Sequence, residues 1–247
     1  MDTQSIKSML KSQLEDLGVA PGGVLLVHTS LKGLGGAAPD LVLQALLELL
    51  TPAGTLLVPA LSYRTVTAEQ PFFHLQHTPA CIGALPERFR TAWAEYRSLH
   101  PTHSVCAAGK LARELTASHQ ADNTPVGPHS PFRLLPEVSG QILMLGCGLR
   151  PNTFMHGVEE AAGASYPLAA EPVAYTLTDG DRRTVKEYYP HSFGERIQRY
   201  DRLEGLLEAP ALRKGPALSG TAFLLDAKAV LQAGIAQIRA QDLYFVD

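Results

Sequence analysis

The chain has 247 residues, enough to bury a full core without a second domain, so residues 1–247 are expected to form a single domain. With 45% hydrophobic and 18% charged residues, its composition is globular and speaks against disordered or collagen-like classes. The net charge of −3, the lack of any Lys and Arg run and the lack of a window of ~20 apolar residues speak against a nucleic-acid partner and a membrane-spanning helix.

From the amino terminus, Ile6, Met9, Leu10, Leu14 and Leu17 recur at helical steps, which predicts a helix over 3–17 ended by Gly18. The same stretch mixes charges among its apolar residues and does not read as a signal peptide. The run from Gly23 to His28 reads as a buried strand that delivers His28-Thr29-Ser30 at its carboxyl end. A helix is expected over 39–50 and a strand over 55–59, followed by a long loop over 61–82 rich in Pro, Phe and His. Beyond it the pattern predicts a helix at 83–95, a strand after Arg97–Ser104 and a helix at 110–118. A strand from Gln141 to Gly146 then leads to Asn152-Thr153 and a helix carrying His156, Glu159 and Glu160. Asp179-Gly180 signals a hairpin, and helices are expected near 194–208 and 226–240. The expected fold class is α/β, a mixed or parallel sheet layered with helices.

Cys81, Cys106 and Cys147 are odd in number and scattered, so neither a disulfide framework nor a CxxC metal pattern fits, and a reducing cytoplasm is the expected compartment. Cys147 sits between two glycines after a strand, but without a GxSxG elbow it reads as a small buried thiol. Nine histidines raise metal binding next. The two close spacings are His74-x-x-His77 and His100-x-x-His103; Pro101 disfavours a helix in the second and neither has the HExxH form, so no metal is expected.

Three clusters of hydroxyls around a histidine remain, at His28-Thr29-Ser30-Leu31, at Arg97–Ser104 and at Asn152–Glu159. Open α/β sheets place ligands beyond the carboxyl ends of their strands, where these clusters fall. Here the sequence resembles the aminoglycoside 3-N-acetyltransferase family over nearly its whole length. The matching motifs are Val27-His28-Thr29-Ser30-Leu31, Gly54-Thr55-Leu56 with Pro59, Gly83 followed by Phe89-Arg90, and Arg97-Ser98-Leu99-His100-Pro101-Thr102-His103-Ser104. They continue through Gly127 with Ser130-Pro131 to Leu145-Gly146-x-Gly148 and Asn152-Thr153-x-x-His156-x-x-Glu159.

The resemblance implies a fold distinct from the common acetyltransferase fold, with direct transfer of an acetyl group from acetyl-CoA, as co-substrate, to the 3-N amine of an aminoglycoside. By the same resemblance the coenzyme is held by His28, Thr29, Ser30, Leu31, Arg97, Ser98, His100, Pro101, Thr102 and Ser104, with Arg97 suited to pairing with phosphate. His156 falls on the family's general base; Glu159, three residues on, is placed to orient its ring or to meet a cationic acceptor. The family also brings a later carboxylate to this histidine, for which Asp201 or Glu204 is the nearest match. Tyr63, Glu159 and Glu160, with Asp122, are the residues expected on the acceptor side.

The partner expected is a small-molecule amine, and the Pro71-Phe72-Phe73 loop could serve either an acceptor pocket or a homodimer interface. An acetyltransferase for another amino sugar or natural-product amine, an idle coenzyme A-binding protein and a metal-dependent hydrolase are the alternatives.

Overall fold

Five successive buried residues, Val24 to His28, require a strand covered on both faces. The computed structural model, which describes residues 2–247, places them in β1 (Val24–Thr29) at the centre of a seven-stranded sheet. Before it runs α1 (Thr3–Leu17), capped by the Asp2 carboxylate at Ser5 N–H and closed by Gly18 at φ 96°. After it come α2 (Pro39–Leu50), β2 (Thr55–Pro59), β3 (Phe72–His74), α3 (Ala84–Ala92), β4 (Tyr96–Arg97), β5 (Val105–Gly109), α4 (Ala112–Ala117) and α5 (Pro131–Leu134). The second half contains β6 (Gln141–Leu145), α6 (Phe154–Ala162), β7 (Val173–Asp179), β8 (Arg182–Tyr188), β9 (Leu212–Ala217), β10 (Gly220–Asp226) and α7 (Ala227–Ala240).

The main sheet runs β4-β5-β2-β1-β6-β10-β9, with parallel β2, β1 and β6 at its centre and antiparallel pairs toward both edges. Alternation along β1 splits the core: Leu25 and Val27 pack with α1, α2 and α3, while Val24 and Leu26 pack with α4, α6 and α7. A second sheet, β3-β7-β8, has its own small core of Val66, Phe73, Tyr175, Leu177 and Tyr188. Phe73 of the Pro71-Phe72-Phe73 loop is thus a core residue, and only Phe72 is exposed.

The topology itself makes a crevice. β1 and β6 are parallel neighbours, but the chain leaves β1 for α2 on one face and leaves β6 for α6 on the other. Adjacent strands whose exits diverge in this way open a cleft beyond their carboxyl ends. The two exit turns touch: a Cβ on Gly33 would lie 1.9 Å from the carbonyl oxygen of Gly146, so the approach requires a residue without a side chain.

Two sequence expectations are corrected. Residues 194–208 do not form a helix; only Tyr200–Gly205 makes a short 3-10 stretch. The amides of Ile197 and Arg199, which a helix would use internally, donate instead to Asp247 O (3.1 Å) and Phe245 O (2.7 Å) of the carboxyl-terminal segment. Strands β9 and β10 were not expected; β9 carries Gly215 and Pro216, tolerated because it lies at the sheet edge.

Candidate active site

Beyond the ends of β1 and β6 lies a cleft of about 610 Å³. Its walls bring together His28, Thr29, Thr102, His103, Asn152, Thr153 and His156 from the sequence clusters, together with the expected acceptor-side Tyr63 and with Arg150, His191, Phe193 and Tyr200. The first and third clusters are joined directly. The Thr153 N–H, at the entry to α6, donates to Nε2 of His28 at 3.0 Å. Burial, and secondarily the proximity of His156, holds His28 down at about 3, so it is neutral, and with Nε2 accepting, its proton sits on Nδ1. That Nδ1, Thr29 Oγ1 and Asn152 Nδ2 are buried without a partner among the described residues.

His156 stands on α6 with its side chain 15% exposed to the cleft. Its Nδ1 lies 3.2 Å from Glu159 Oε2 and 2.9 Å from the Tyr200 hydroxyl. Glu159 is fully buried one turn along the same helix, and its oxygens also accept from Tyr166 (2.8 Å) and Tyr200 (3.0 and 3.1 Å). Burial, then the neighbouring Glu159, pushes both phenols upward, which keeps them as donors. With both phenols donating to Glu159, the proton on Nδ1 also points to this acceptor group, and Nε2 is left with a lone pair for the cleft.

A second chain of groups runs beside it. Thr102 Oγ1 lies 2.9 Å from His103 Nδ1, His103 Nε2 lies 3.2 Å from His191 Nδ1, and His191 Nε2 lies 2.9 Å from Glu160 Oε1. Burial drives both histidines well below their ordinary value and raises Glu160.

Several expected residues sit elsewhere. Arg97 does not offer its guanidinium to a ligand phosphate: it donates to the carbonyls of Leu75 (2.9 Å), Thr78 (2.7 Å) and Ala60 (3.2 Å) and to Ser104 Oγ (3.0 Å). Burial lowers it to about 10. Ser98 pairs with His119 at 2.8 Å, and Ser104 donates to Ala60 O. His100 uses Nδ1 to accept the amides of Thr102 and His103, while Pro101 O accepts from Ser62. This segment is a scaffold that delivers Thr102 and His103 to the cleft, and its other members do not line it. Ser30 caps the next turn through Gly33 N–H, and Leu31 packs against the core.

Asp201 likewise pairs with Arg150 and Arg199, each at 3.2 Å, and not with His156. Glu204 pairs with Lys214. The residue of this segment that reaches His156 is Tyr200, whose neighbours in sequence gave no sign of it. Nor did sequence point to His191, Tyr166 or Phe193, which no spacing links to His156.

The geometry can be set beside known proteins. The family model described as aminoglycoside 3-N-acetyltransferase matches residues 26–239. The aminoglycoside N(3)-acetyltransferase IV of a Salmonella species is 31% identical over 247 residues, covering 97% of this chain and 90% of the relative. Among solved structures, a mutant of aminoglycoside acetyltransferase AAC(3)-IVa in complex with gentamicin superposes with a TM-score of 0.82 at 28% identity, over 97% of this chain and 90% of that one. A binary complex of AAC-IIIb with CoASH gives a TM-score of 0.83 at 25% identity, over 96% and 97%. The chain therefore belongs to the aminoglycoside 3-N-acetyltransferase family. It is an acyltransferase by that membership, and the α/β fold is that of the family.

Proposed function

We propose that the protein transfers an acetyl group from acetyl-CoA to an amine, with His156 as general base. The observation that carries the reading is the anchored imidazole: Glu159 and Tyr200 hold Nδ1 while the ring faces the cleft. An amine with a lysine-like pKa of roughly 10.4 is neutral in only one molecule in ~2,500 at pH 7, a handicap of ~4.6 kcal/mol. A base at the reacting nitrogen does not lower that cost; it takes the further proton that the neutral amine sheds as it attacks, and contributes typically ~10²–10⁴-fold. The amine, its ammonium proton already lost to solvent, attacks the thioester carbonyl as Nε2 takes a second proton from the nitrogen; the C–N bond forms, the C–S bond breaks, and that second proton leaves with the coenzyme thiol.

The coenzyme reading is supported by the unpartnered polar atoms of His28, Thr29 and Asn152 at the crevice, which suit the amides of a pantetheine arm or the oxyanion of the tetrahedral intermediate. Arg150, a permanently charged side chain in the lining, suits an anionic ligand.

The family implies an aminoglycoside acceptor. A second reading, another amine with fewer positive charges, is favoured by the fate of the acids offered for a polycation. Glu159 is enclosed by Tyr166 and Tyr200, Glu160 by His191 and Val126 N–H, and Asp122 by His129. The test is thiol release from acetyl-CoA across a panel of aminoglycosides, amino sugars and simple primary amines. Aminoglycoside turnover supports the first reading, turnover confined to the other amines supports the second, and silence across the panel contradicts the transferase reading.

A further inference from the structure

Three histidines that no sequence spacing connects meet at the cleft wall. His103 precedes β5, His156 stands on α6 and His191 follows β8, and all three line the cavity. One ring nitrogen from each lies within 4.8 Å of the other two. We propose that these nitrogens form a site for a divalent transition metal of the zinc type, and that filling it removes His156 from proton transfer.

The closest pair already has the right spacing. His103 Nε2 and His191 Nδ1 are 3.2 Å apart, against roughly 3.3 Å between two ligands of a tetrahedral ion with bonds of ~2.0 Å. His156 completes the set, its ring centroid 4.6 Å from that of His191 and 5.9 Å from that of His103. Three imidazoles and one position left for water is the arrangement zinc adopts at sites that face solvent.

The outer nitrogens make the case more specific than proximity does. A histidine that ligates a metal through one nitrogen characteristically donates its other N–H to an acceptor that fixes the ring. Here all three have one: His103 Nδ1 faces Thr102 Oγ1 (2.9 Å), His191 Nε2 faces Glu160 Oε1 (2.9 Å), and His156 Nδ1 faces Glu159 Oε2 (3.2 Å). Protons placed on those outer nitrogens leave one lone pair on the inner nitrogen of each ring, three unshared pairs gathered within a few ångströms that a cation can accept. The cleft supplies the path of entry.

The experiment uses the full, untagged chain stripped with a chelator and titrated with cobalt(II) chloride, followed by optical absorption. One equivalent is expected to develop the intense visible bands of a four-coordinate cobalt site, and one equivalent of zinc chloride to bleach them. His156→Ala and His191→Gln are each expected to weaken binding at least roughly tenfold and to change the bands, while Glu160→Gln, which keeps side-chain size, weakens it roughly 10–100-fold. Zinc is expected to abolish acetyl transfer until chelator is added. Absence of the bands, or bands unchanged in the His156 and His191 variants, overturns the proposal. The optical readout needs no amine or acetyl-CoA, so it stands apart from the fate of the transferase reading.

Discussion

The hydroxyl of Tyr200 lies 2.9 Å from Nδ1 of His156 and within 3.1 Å of both oxygens of Glu159, so one phenol bridges the imidazole and its carboxylate. The carboxylate therefore acts on the ring both directly and through a hydroxyl, and the hydroxyl comes from the segment where a second acid was expected. Tyr200→Phe keeps the ring and its packing and deletes only the bridge. The expected result is a fall in kcat of roughly tenfold, about 1.4 kcal/mol, with KM for acetyl-CoA unchanged. An unchanged kcat contradicts a positioning role for Tyr200.

Glu159→Gln is a sharper change. The two phenols still need an acceptor and take the amide oxygen, which turns the amide nitrogen toward His156 as a donor. Nδ1 must then accept, the proton moves to Nε2, and the lone pair no longer faces the cleft. A wrong tautomer of this kind costs roughly 10⁴ in kcat in serine protease triads, and a loss of that order is expected here. A loss under tenfold indicates that Glu159 serves the fold alone.

Asp201→Asn tests the converse. Its partners are Arg150 and Arg199 at the surface, and exposed pairs of this kind contribute only ~0–1 kcal/mol. Turnover is expected to stay within roughly fivefold of the wild-type rate. A loss comparable to that of Glu159→Gln restores Asp201 to the catalytic group.

Acid should destabilise the fold through histidines buried in neutral form. Burial lowers both His28 and His119 from 6.5 to about 3. The unfolded chain takes up these protons first, so their stabilisation is complete above 6.5 and is lost as pH falls from there toward 3. The slope is about 1.4 kcal/mol per pH unit for each histidine. Urea midpoints measured between pH ~7 and pH ~5 are expected to fall accordingly, and a flat profile contradicts the assignment.

Much of this architecture was legible in the chain. The helix over 3–17 and the strand over 55–59 have the predicted bounds because their apolar period and their Gly and Pro stops are local signals. The segment 194–208 misled because its pairing with residues 245–247 is non-local and absent from any window of sequence. At the site, the family motifs led to His28, Thr102 and His156, all on the cleft. They could not separate residues that line it from those that build it: Arg97 and Ser98 belong to the same motif as Thr102, yet their side chains hold the turn together from inside. The convergence of His103, His156 and His191 depends on three separate elements and leaves no spacing to read.

The central claim is that the imidazole of residue 156 accepts the proton of the attacking amine, and one comparison tests it most directly. Single-turnover acetyl transfer and acetyl-CoA affinity are measured together for the wild type and His156→Ala. The account predicts a fall in transfer of ~10²–10⁴-fold or more with affinity nearly unchanged. Transfer at close to the wild-type rate in the alanine variant contradicts it.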